Sequence, residues 1–217
     1  MAKVKKITKQ EAVGLFKDGM TIMIGGFTTN GTAETLVDAI VESGAQNLTV
    51  ICNDAGFPGK GTGKLLDSHQ AKKLIATHVG LNKTCGEQYS AGELDLVLTP
   101  QGTLAEQVRC GGAGLGGFLT PTGIGTTVAE GKQVIEVDGQ EYLLEKALKA
   151  DVAIIKAYQV DEVGNIRYKG STRNFNPMMA SAADIVIVEA DQHVEAGAIG
   201  PDFVETPGIY VTHILEG

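Results

Sequence analysis

Two glycine-rich segments are the first candidates in this sequence for a functional site. Gly25-Gly26-Phe27 follows an apolar run of strand length, residues 20–24, and leads through a polar turn into a helical pattern. Paired glycines between a strand and a helix let the backbone approach a ligand, and free N–H groups at the helix start attract an anion. A lone Gly-Gly is more often a plain tight turn, but a second and richer segment, residues 111–118, favours a binding site.

Two carboxamides are the other candidates. Asn53 and Gln101 each stand beyond an apolar run, where an amide can donate and accept hydrogen bonds without titrating. Glycine-rich backbone facing a carboxamide suits the stabilisation of a developing oxyanion, and it suits the gripping of a phosphate equally well. Asn53 taken alone could be a structural loop cap, so the residue types leave these uses open.

A nucleophile with its own base is not recognisable. The histidines stand far apart in sequence and are expected on the surface or in strand packing: His69, His78, His193 and His213. The carboxylates of polar helical stretches are expected to be solvated: Glu87, Glu93 and Glu106. Gly61-Thr62-Gly63-Lys64 is followed by Leu65, where a nucleotide-binding Walker loop needs Ser or Thr. The sequence therefore predicts a ligand-binding site that lacks a nucleophile of its own.

Composition limits the class of protein. With 217 residues, of which 43% are hydrophobic, the chain is expected to form one domain, residues 1–217. Its net charge of −8 argues against nucleic-acid binding, which needs a basic face. Three cysteines without CxxC spacing indicate neither disulfides nor zinc, and we expect no metal site. Since no signal peptide follows the N-terminus and no apolar run approaches the ~20 residues that span a bilayer, we expect a cytoplasmic protein without membrane contact.

Apolar runs alternate with helical patterns along most of the chain. The predicted strands are residues 20–24, 48–52, 73–79, 95–99, 153–157 and 185–189, and the predicted helices are residues 8–16, 35–43, 103–110 and 177–183. This alternation predicts an α/β fold with an open, mainly parallel sheet and helices on both faces. Asp138-Gly139 predicts a small antiparallel hairpin insertion over 133–144, and the tail, 208–215, is expected to be an edge strand or a docking segment.

Ligands of an open parallel sheet bind outside the carboxyl ends of its strands. The predicted strands place Gly25-Gly26-Phe27, Asn53-Asp54 and Gln101-Gly102 at that edge, and residues 111–118 follow after one helix. We therefore expect these four segments to converge on one cleft.

Longer motifs resemble a known family over about residues 5–215. They are Asp18-Gly19 with Gly25-Gly26-Phe27 and Gly31, then residues 98–106, 111–114, 119–126 and 173–177. Together they resemble the alpha-type subunits of the family I CoA-transferases, also called 3-oxoacid CoA-transferases. One departure is Ala33, where the signature usually has a proline that would favour the helix start, so its loss concerns the loop rather than the chemistry.

The resemblance implies the CoA-transferase fold and a division of labour between subunits. It implies transfer of CoA from a short-chain acyl-CoA, such as acetyl-CoA or acetoacetyl-CoA, to a carboxylic acid such as acetate or butyrate. In that family, a glutamate in a Ser-Glu-Asn-Gly motif of the beta subunit becomes a glutamyl-CoA thioester. This sequence has no Ser-Glu-Asn-Gly, so a separate beta subunit in a heterotetramer of two alpha and two beta subunits is expected. Coenzyme A is then a substrate, and no permanently bound cofactor is implied.

The resemblance also implies residue roles. Asn53 and Gln101 match positions beside the catalytic glutamate, where they would hydrogen-bond it or its tetrahedral intermediate. A second set would line the same cleft: Gly114, Gly116, Gly117 and Phe118. The loop assigned to CoA contact comprises Gly25, Gly26, Phe27, Thr28, Thr29, Asn30 and Gly31.

A different class of function stays open on the residues alone. The alternative is a non-catalytic ligand-binding protein, or a sugar-phosphate sensor or isomerase on a related α/β fold. An isomerase needs its own acid and base close to a phosphate loop, and no such pair is recognisable in the sequence. The preferred acyl group is not readable, since side chains of both subunits would shape its pocket.

Overall fold

The computed structural model describes residues 4–216 of the chain. Its strands are β1 (Lys5–Ile7), β2 (Thr21–Ile24), β3 (Leu48–Cys52), β4 (Ala71–Ala76), β5 (Asp95–Leu98), β6 (Gly117–Thr120), β7 (Val134–Val137), β8 (Gln140–Lys146), β9 (Ala150–Asp161), β10 (Ile166–Arg167), β11 (Ala183–Val194) and β12 (His213–Leu215). Its α-helices are α1 (Lys9–Val13), α2 (Glu34–Ser43), α3 (Gly63–Asp67), α4 (Lys83–Ser90), α5 (Gln101–Gly112) and α6 (Asn176–Ser181). Short 3-10 helices cover Thr127–Ala129, Gly170–Arg173, Pro201–Phe203 and Gly208–Tyr210.

The main sheet has the strand order β1-β12-β11-β9-β2-β3-β4-β5, and β10 pairs with the end of β9. Neighbours along this order are parallel, whereas the β9–β10 pair is antiparallel. The chain steps outward from β2 through β5 and later resumes on the other side of β2 with β9. That reversal makes the β2–β9 pair a topological switch point, where a crevice opens outside the carboxyl ends of the strands. The predicted α/β fold is confirmed.

Alternate side chains of the strands are buried on opposite faces of the sheet. In β2, Ile22 and Ile24 belong to the core that packs against α1 to α4, whereas Met23 belongs to the core that packs against α5 and α6. The prediction of helices on both faces is therefore confirmed. Within residues 4–216, no helix has both the length and the apolar character needed to cross a membrane.

The insertion is a separate antiparallel sheet in the order β6-β8-β7. Asp138 and Gly139 join β7 to β8 with φ angles of 52° and 77°, as a two-residue hairpin turn requires. The predicted hairpin is confirmed, although the third strand, β6, was not predicted. Glu145 of β8 is buried and accepts hydrogen bonds from Lys132 Nζ at 2.6 Å and Gln107 Nε2 at 3.0 Å, which ties the insertion to α5.

The ends of the chain differ most from expectation. The short strand β1 was not predicted, because three residues are too few to show a period. It pairs with β12, which lies between β1 and β11, so the prediction of an edge strand for the tail is wrong. At the predicted helix 8–16, Thr8 and Glu11 form a capping box, but the helix, α1, ends at Val13 rather than at Phe16.

Candidate active site

Two of the predicted amides meet at the carboxyl edge of the main sheet. Asn53 directly follows β3, and Gln101 is the first residue of α5, just beyond β5. The Gln101 side chain reaches across the end of β4 and donates from Nε2 to Asn53 Oδ1 at 2.7 Å. The expected convergence of these two side chains is confirmed, whereas their part in a reaction stays a prediction.

Asp54, which the sequence placed at this edge but gave no role, holds this pair in place. Its carboxylate is buried, and Oδ2 accepts from Asn53 Nδ2 at 2.8 Å and from Thr28 N at 2.7 Å. Oδ1 accepts from Gly56 N at 2.9 Å. Asn53 is only 1% exposed and has both ends of its amide engaged, while Gln101 is exposed to solvent. The three side chains therefore form one line of hydrogen bonds that runs from the interior to the surface.

The predicted CoA-contact loop forms a tight turn next to this line. Phe27 and Asn30 exchange backbone hydrogen bonds of 3.0 and 2.9 Å, and the turn residues Thr28 and Thr29 have φ angles of 50° and 82°. Left-handed backbone costs a non-glycine residue on the order of 1–3 kcal/mol, so such a turn persists only where its surroundings hold it. The bond from Thr28 N to Asp54 is one of those restraints.

A pair of asparagines restrains the same loop from the other side. Asn174 accepts from Gly26 N and donates to Asn30 O, both at 3.0 Å. Asn176 is fully buried, donates to Gly31 O and accepts from Lys156 N, again at 3.0 Å each. The sequence carried a signal for them in the family motif over residues 173–177, but the motif did not indicate that they fix the loop.

The start of α2 is not free to bind an anion. Its N-cap residue, Ala33, makes no side-chain cap, and Glu189 of β11 caps the helix instead. Glu189 Oε2 accepts from Thr35 N at 2.9 Å and from Leu36 N at 3.2 Å. The expectation that this helix start is open to an anion is therefore wrong, because a carboxylate of the chain already occupies the N–H groups of Thr35 and Leu36.

Lys156 balances the charge of that cap. Its Nζ lies 3.3 Å from Glu189 Oε1 and 2.8 Å from Asp191 Oδ1. Burial alone would lower the pKa of Lys156, but the hydrogen bond to Asp191 and the charges of both carboxylates outweigh it and raise the pKa. The side chain thus stays a cation that stabilises the capping carboxylate.

Removing the cap is expected to destabilise the fold moderately. Glu189→Ala leaves two amide groups of α2 without their partner, which should cost about 1.5 kcal/mol and lower the Tm by about 3–6 °C. Glu189→Gln keeps an oxygen acceptor and should lose less than half of that. Thermal unfolding of both variants, followed by circular dichroism, tests this. Equal losses in the two variants would show that the charge, and not the cap, is what matters.

The second glycine segment, residues 111–118, lies away from the carboxyl edge of the main sheet. Gly111 and Gly112 end α5, 10 and 11 residues after Gln101, and the helical rise separates them from Gln101 by about 15–17 Å. Both glycines serve packing, since a Cβ would overlap the Leu148 carbonyl at Gly111 and the Ser181 side chain at Gly112. The four residues predicted to line the cleft follow in the exposed turn and in β6, and their role stays a prediction: Gly114, Gly116, Gly117 and Phe118.

Two further side chains lie at the site. His78, expected on the surface or in strand packing, stands at the carboxyl end of β4 with its ring 6.0 Å from that of Phe27. Cys52 precedes Asn53, and its thiol donates to Asp54 O at 3.1 Å. Burial, followed by the charge of Asp54, raises the pKa of the Cys52 thiol well above its usual range. Cys52 therefore stays a neutral thiol and is a poor nucleophile.

The remaining candidates lie on the surface or in ion pairs. The glutamates predicted to be solvated form surface pairs, which confirms that prediction: Lys83–Glu87, His69–Glu93 and Arg109–Glu106. Lys64 of the near-Walker sequence bonds Glu34 and Asp38, so it does not face an open phosphate site. Within residues 4–216, no group of three or more His, Cys, Asp or Glu side chains is placed to hold a metal ion.

Fold and site together define an α/β protein that presents an oriented amide at the carboxyl edge of a parallel sheet. The family model described as "Coenzyme A transferase" matches residues 6–217. The chain belongs to the coenzyme A transferase family, which confirms the family predicted from its motifs.

Curated relatives and a solved structure agree with this assignment. The chain is 53% identical over 213 residues to the alpha subunit of acetate CoA-transferase of Escherichia coli K12, covering 98% of this chain and 97% of that one. It is 51% identical over 201 residues to the alpha subunit of acetoacetyl-CoA:acetate/butyrate CoA transferase of Clostridium acetobutylicum, covering 93% and 92%. An acyl-CoA transferase of E. coli O157:H7, solved as a thioester complex with CoA, shares the fold with a TM-score of 0.88 at 23% identity. The match covers 99% of this chain and 47% of that enzyme, so the chain spans about half of its length.

Proposed function

We propose that this chain is the alpha subunit of a short-chain acyl CoA-transferase. It would help move CoA from acetyl-CoA or acetoacetyl-CoA to an acid such as acetate or butyrate. The observation that carries the proposal is the line of hydrogen bonds from Asp54 through Asn53 to Gln101, at the ligand edge of a coenzyme A transferase fold. The relatives from E. coli and C. acetobutylicum, both alpha subunits of enzymes for short acids, support the substrate class.

The proposed nucleophile is a glutamate in a Ser-Glu-Asn-Gly motif of a beta subunit. Its carboxylate attacks the thioester carbonyl, the C–S bond breaks, and an acyl–glutamyl anhydride and CoA thiolate form. The thiolate then attacks the glutamyl carbonyl, which releases the first carboxylic acid as its anion and leaves a glutamyl-CoA thioester. A second carboxylate reverses both steps and leaves as the new acyl-CoA, with the glutamate regenerated.

Each of these steps places negative charge on a carbonyl oxygen, and preorganised donors stabilise such charge. Gln101 is exposed and is therefore proposed to contact the glutamate or its tetrahedral intermediate. Asn53 is buried and is proposed to hold Gln101 in the orientation that this contact needs. In this assignment the two predicted residues act as one unit.

The CoA contact is proposed for the turn over residues 25–31. Since Glu189 fills the start of α2, the contact is made by the turn itself and not by a phosphate at the helix terminus. Phe27 at the turn is 41% exposed and offers an apolar surface beside the ligand edge. The occupied helix start also argues against the alternative of a sugar-phosphate sensor or isomerase.

Exposed apolar side chains support a partner at the same edge. Phe27, Phe57 and Leu98 are 41%, 37% and 52% exposed, and apolar surface of this kind marks interaction sites. We propose that the beta subunit covers this edge, in a heterotetramer of two alpha and two beta subunits. A cytoplasmic location stays a prediction.

Co-expression tests the proposal directly. The chain is produced alone and together with a beta subunit that carries the Ser-Glu-Asn-Gly motif, and each sample is given acetyl-CoA and butyrate. Butyryl-CoA, measured by liquid chromatography, is expected only from the pair. After incubation with acetyl-CoA alone, mass spectrometry should find the CoA adduct on the beta subunit. Turnover by this chain unaided, or an adduct on one of its own glutamates, would contradict the proposal.

A further inference from the structure

We propose that Asp54 is the positioning residue of this site, which sets the direction of the amide line and couples it to the turn over residues 25–31. The inference rests on the proposed function and assigns a role to a residue for which the sequence predicts none. It starts from an ambiguity of carboxamides. An amide that is rotated by 180° keeps its shape but exchanges its donor and acceptor ends. Asn53 and Gln101 could therefore pair in either direction.

The Asp54 carboxylate removes this ambiguity, because an ionised carboxylate only accepts hydrogen bonds. Asn53 must turn its Nδ2 toward Asp54, at 2.8 Å, and its Oδ1 toward Gln101. Gln101 can then pair only through its Nε2, at 2.7 Å. Asp54 therefore determines, through Asn53, which atoms Gln101 presents to the cleft. These are the Oε1 atom and the second proton on Nε2.

The same carboxylate oxygen also restrains the turn. Asp54 Oδ2 accepts from Thr28 N at 2.7 Å, and Thr28 has the left-handed φ of 50°. A charge-assisted hydrogen bond from a buried carboxylate is among the stronger ones and offsets part of the cost of that backbone. A shift of the turn on CoA binding would therefore move the acceptor on which the orientation of Asn53 depends.

A purely structural role for Asp54 is the competing explanation, since Oδ1 also holds Gly56 N. The two explanations differ in what Asp54 acts through. If Asp54 acts on kcat through the amide line, its loss cannot lower kcat further once Gln101 is gone, whereas its hold on the CoA-contact turn would show in the KM for acetyl-CoA. If Asp54 only stabilises the loops, its loss lowers kcat by a further factor on top of the loss caused by removing Gln101.

A double-mutant cycle in the co-purified complex separates these cases. Asp54→Asn keeps the side-chain size but introduces an NH2 group that must face either Gly56 N or the Asn53 and Thr28 donors, so it weakens this set of bonds, and we expect kcat to fall about tenfold. The kcat of Gln101→Ala should fall about a hundredfold. We expect the double variant to be no slower than Gln101→Ala alone. A loss of about a thousandfold, the product of the two, would overturn the proposal.

Asp67→Asn is the matched control, because Asp67 Oδ2 also accepts from a turn amide, Gly59 N at 2.7 Å, but is exposed and outside the amide line. Its kcat should stay within twofold of that of the unmodified complex. An equal loss in Asp67→Asn would mean that any turn carboxylate has this effect, and it would count against Asp54.

Hydrogen exchange gives a readout that needs no activity, so it still tests Asp54 if the complex transfers no CoA and the proposed function fails. In Asp54→Asn, the peptide over residues 25–31 should exchange at least fivefold faster while β2 and β9 keep their protection. Unchanged exchange in that peptide would refute the coupling. If Asp54→Asn does not assemble, the cycle is run on Asn53→Ala and Gln101→Ala instead. If the losses in kcat of Asn53→Ala and Gln101→Ala multiply in the double variant, the two side chains do not act as one unit, and the proposal fails.

Discussion

Gln101→Ala is expected to lower kcat of the assembled enzyme about a hundredfold while folding and assembly stay intact. Removing one preorganised donor from a developing oxyanion typically costs about 3 kcal/mol of transition-state stabilisation. Gln101 is exposed, so its truncation leaves no cavity. Steady-state kinetics with acetyl-CoA and butyrate, together with the Tm of the complex, measure both effects.

Asn53→Ala should lower kcat by a similar factor for a different reason. Gln101 then loses the acceptor at 2.7 Å that orients it. Because Asn53 is buried and Asp54 loses one donor, the Tm should also fall, by about 2–8 °C for a loss of about 1–2 kcal/mol. Glu106→Ala serves as the control, since Glu106 lies on the same helix and pairs with Arg109 at the surface, so its loss should leave kcat unchanged. Unchanged kcat in both Asn53→Ala and Gln101→Ala would remove these residues from the site.

Gly25→Ala is expected to have the largest effect on stability. A Cβ at this position would lie 2.6 Å from Asn176 Cγ and overlap the Oδ1 atom of that side chain. Asn176 cannot move aside, because it is fully buried and bonded to Gly31 O, Thr172 O and Lys156 N. Relieving the overlap should cost about 3 kcal/mol and lower the Tm by about 6–12 °C.

Gly86→Ala is the matched control for this prediction. Gly86 lies within α4, and a Cβ there meets no atom within 4 Å. Replacing a helical glycine by alanine should stabilise the chain by up to about 1 kcal/mol. The pair is compared by thermal unfolding and by yield of the complex. If Gly25→Ala had the same Tm as Gly86→Ala, the loop would not be packed against Asn176 in this way.

The sequence by itself determined the features that follow from local periodicity. Apolar runs of strand length alternating with helical patterns were enough to predict the parallel sheet and its two helical faces. Polar residues that directly follow such runs must lie at the carboxyl edge, which placed Asn53 and Gln101 together. The family motifs added the division between alpha and beta subunits.

Only the tertiary structure decided how these residues are held. Asp54 bonds Thr28 across 26 residues, Asn174 bonds Gly26 across 148, and Glu189 caps a helix that begins 155 residues earlier. No local pattern marks such pairs, because a carboxylate or an amide finds its partner only after distant strands come together in the sheet. The second glycine segment lies away from this edge for a different reason, since the length of α5 separates it from Gln101. Its two leading glycines are required by the packing of α5 against Leu148 and Ser181, which sequence spacing does not reveal.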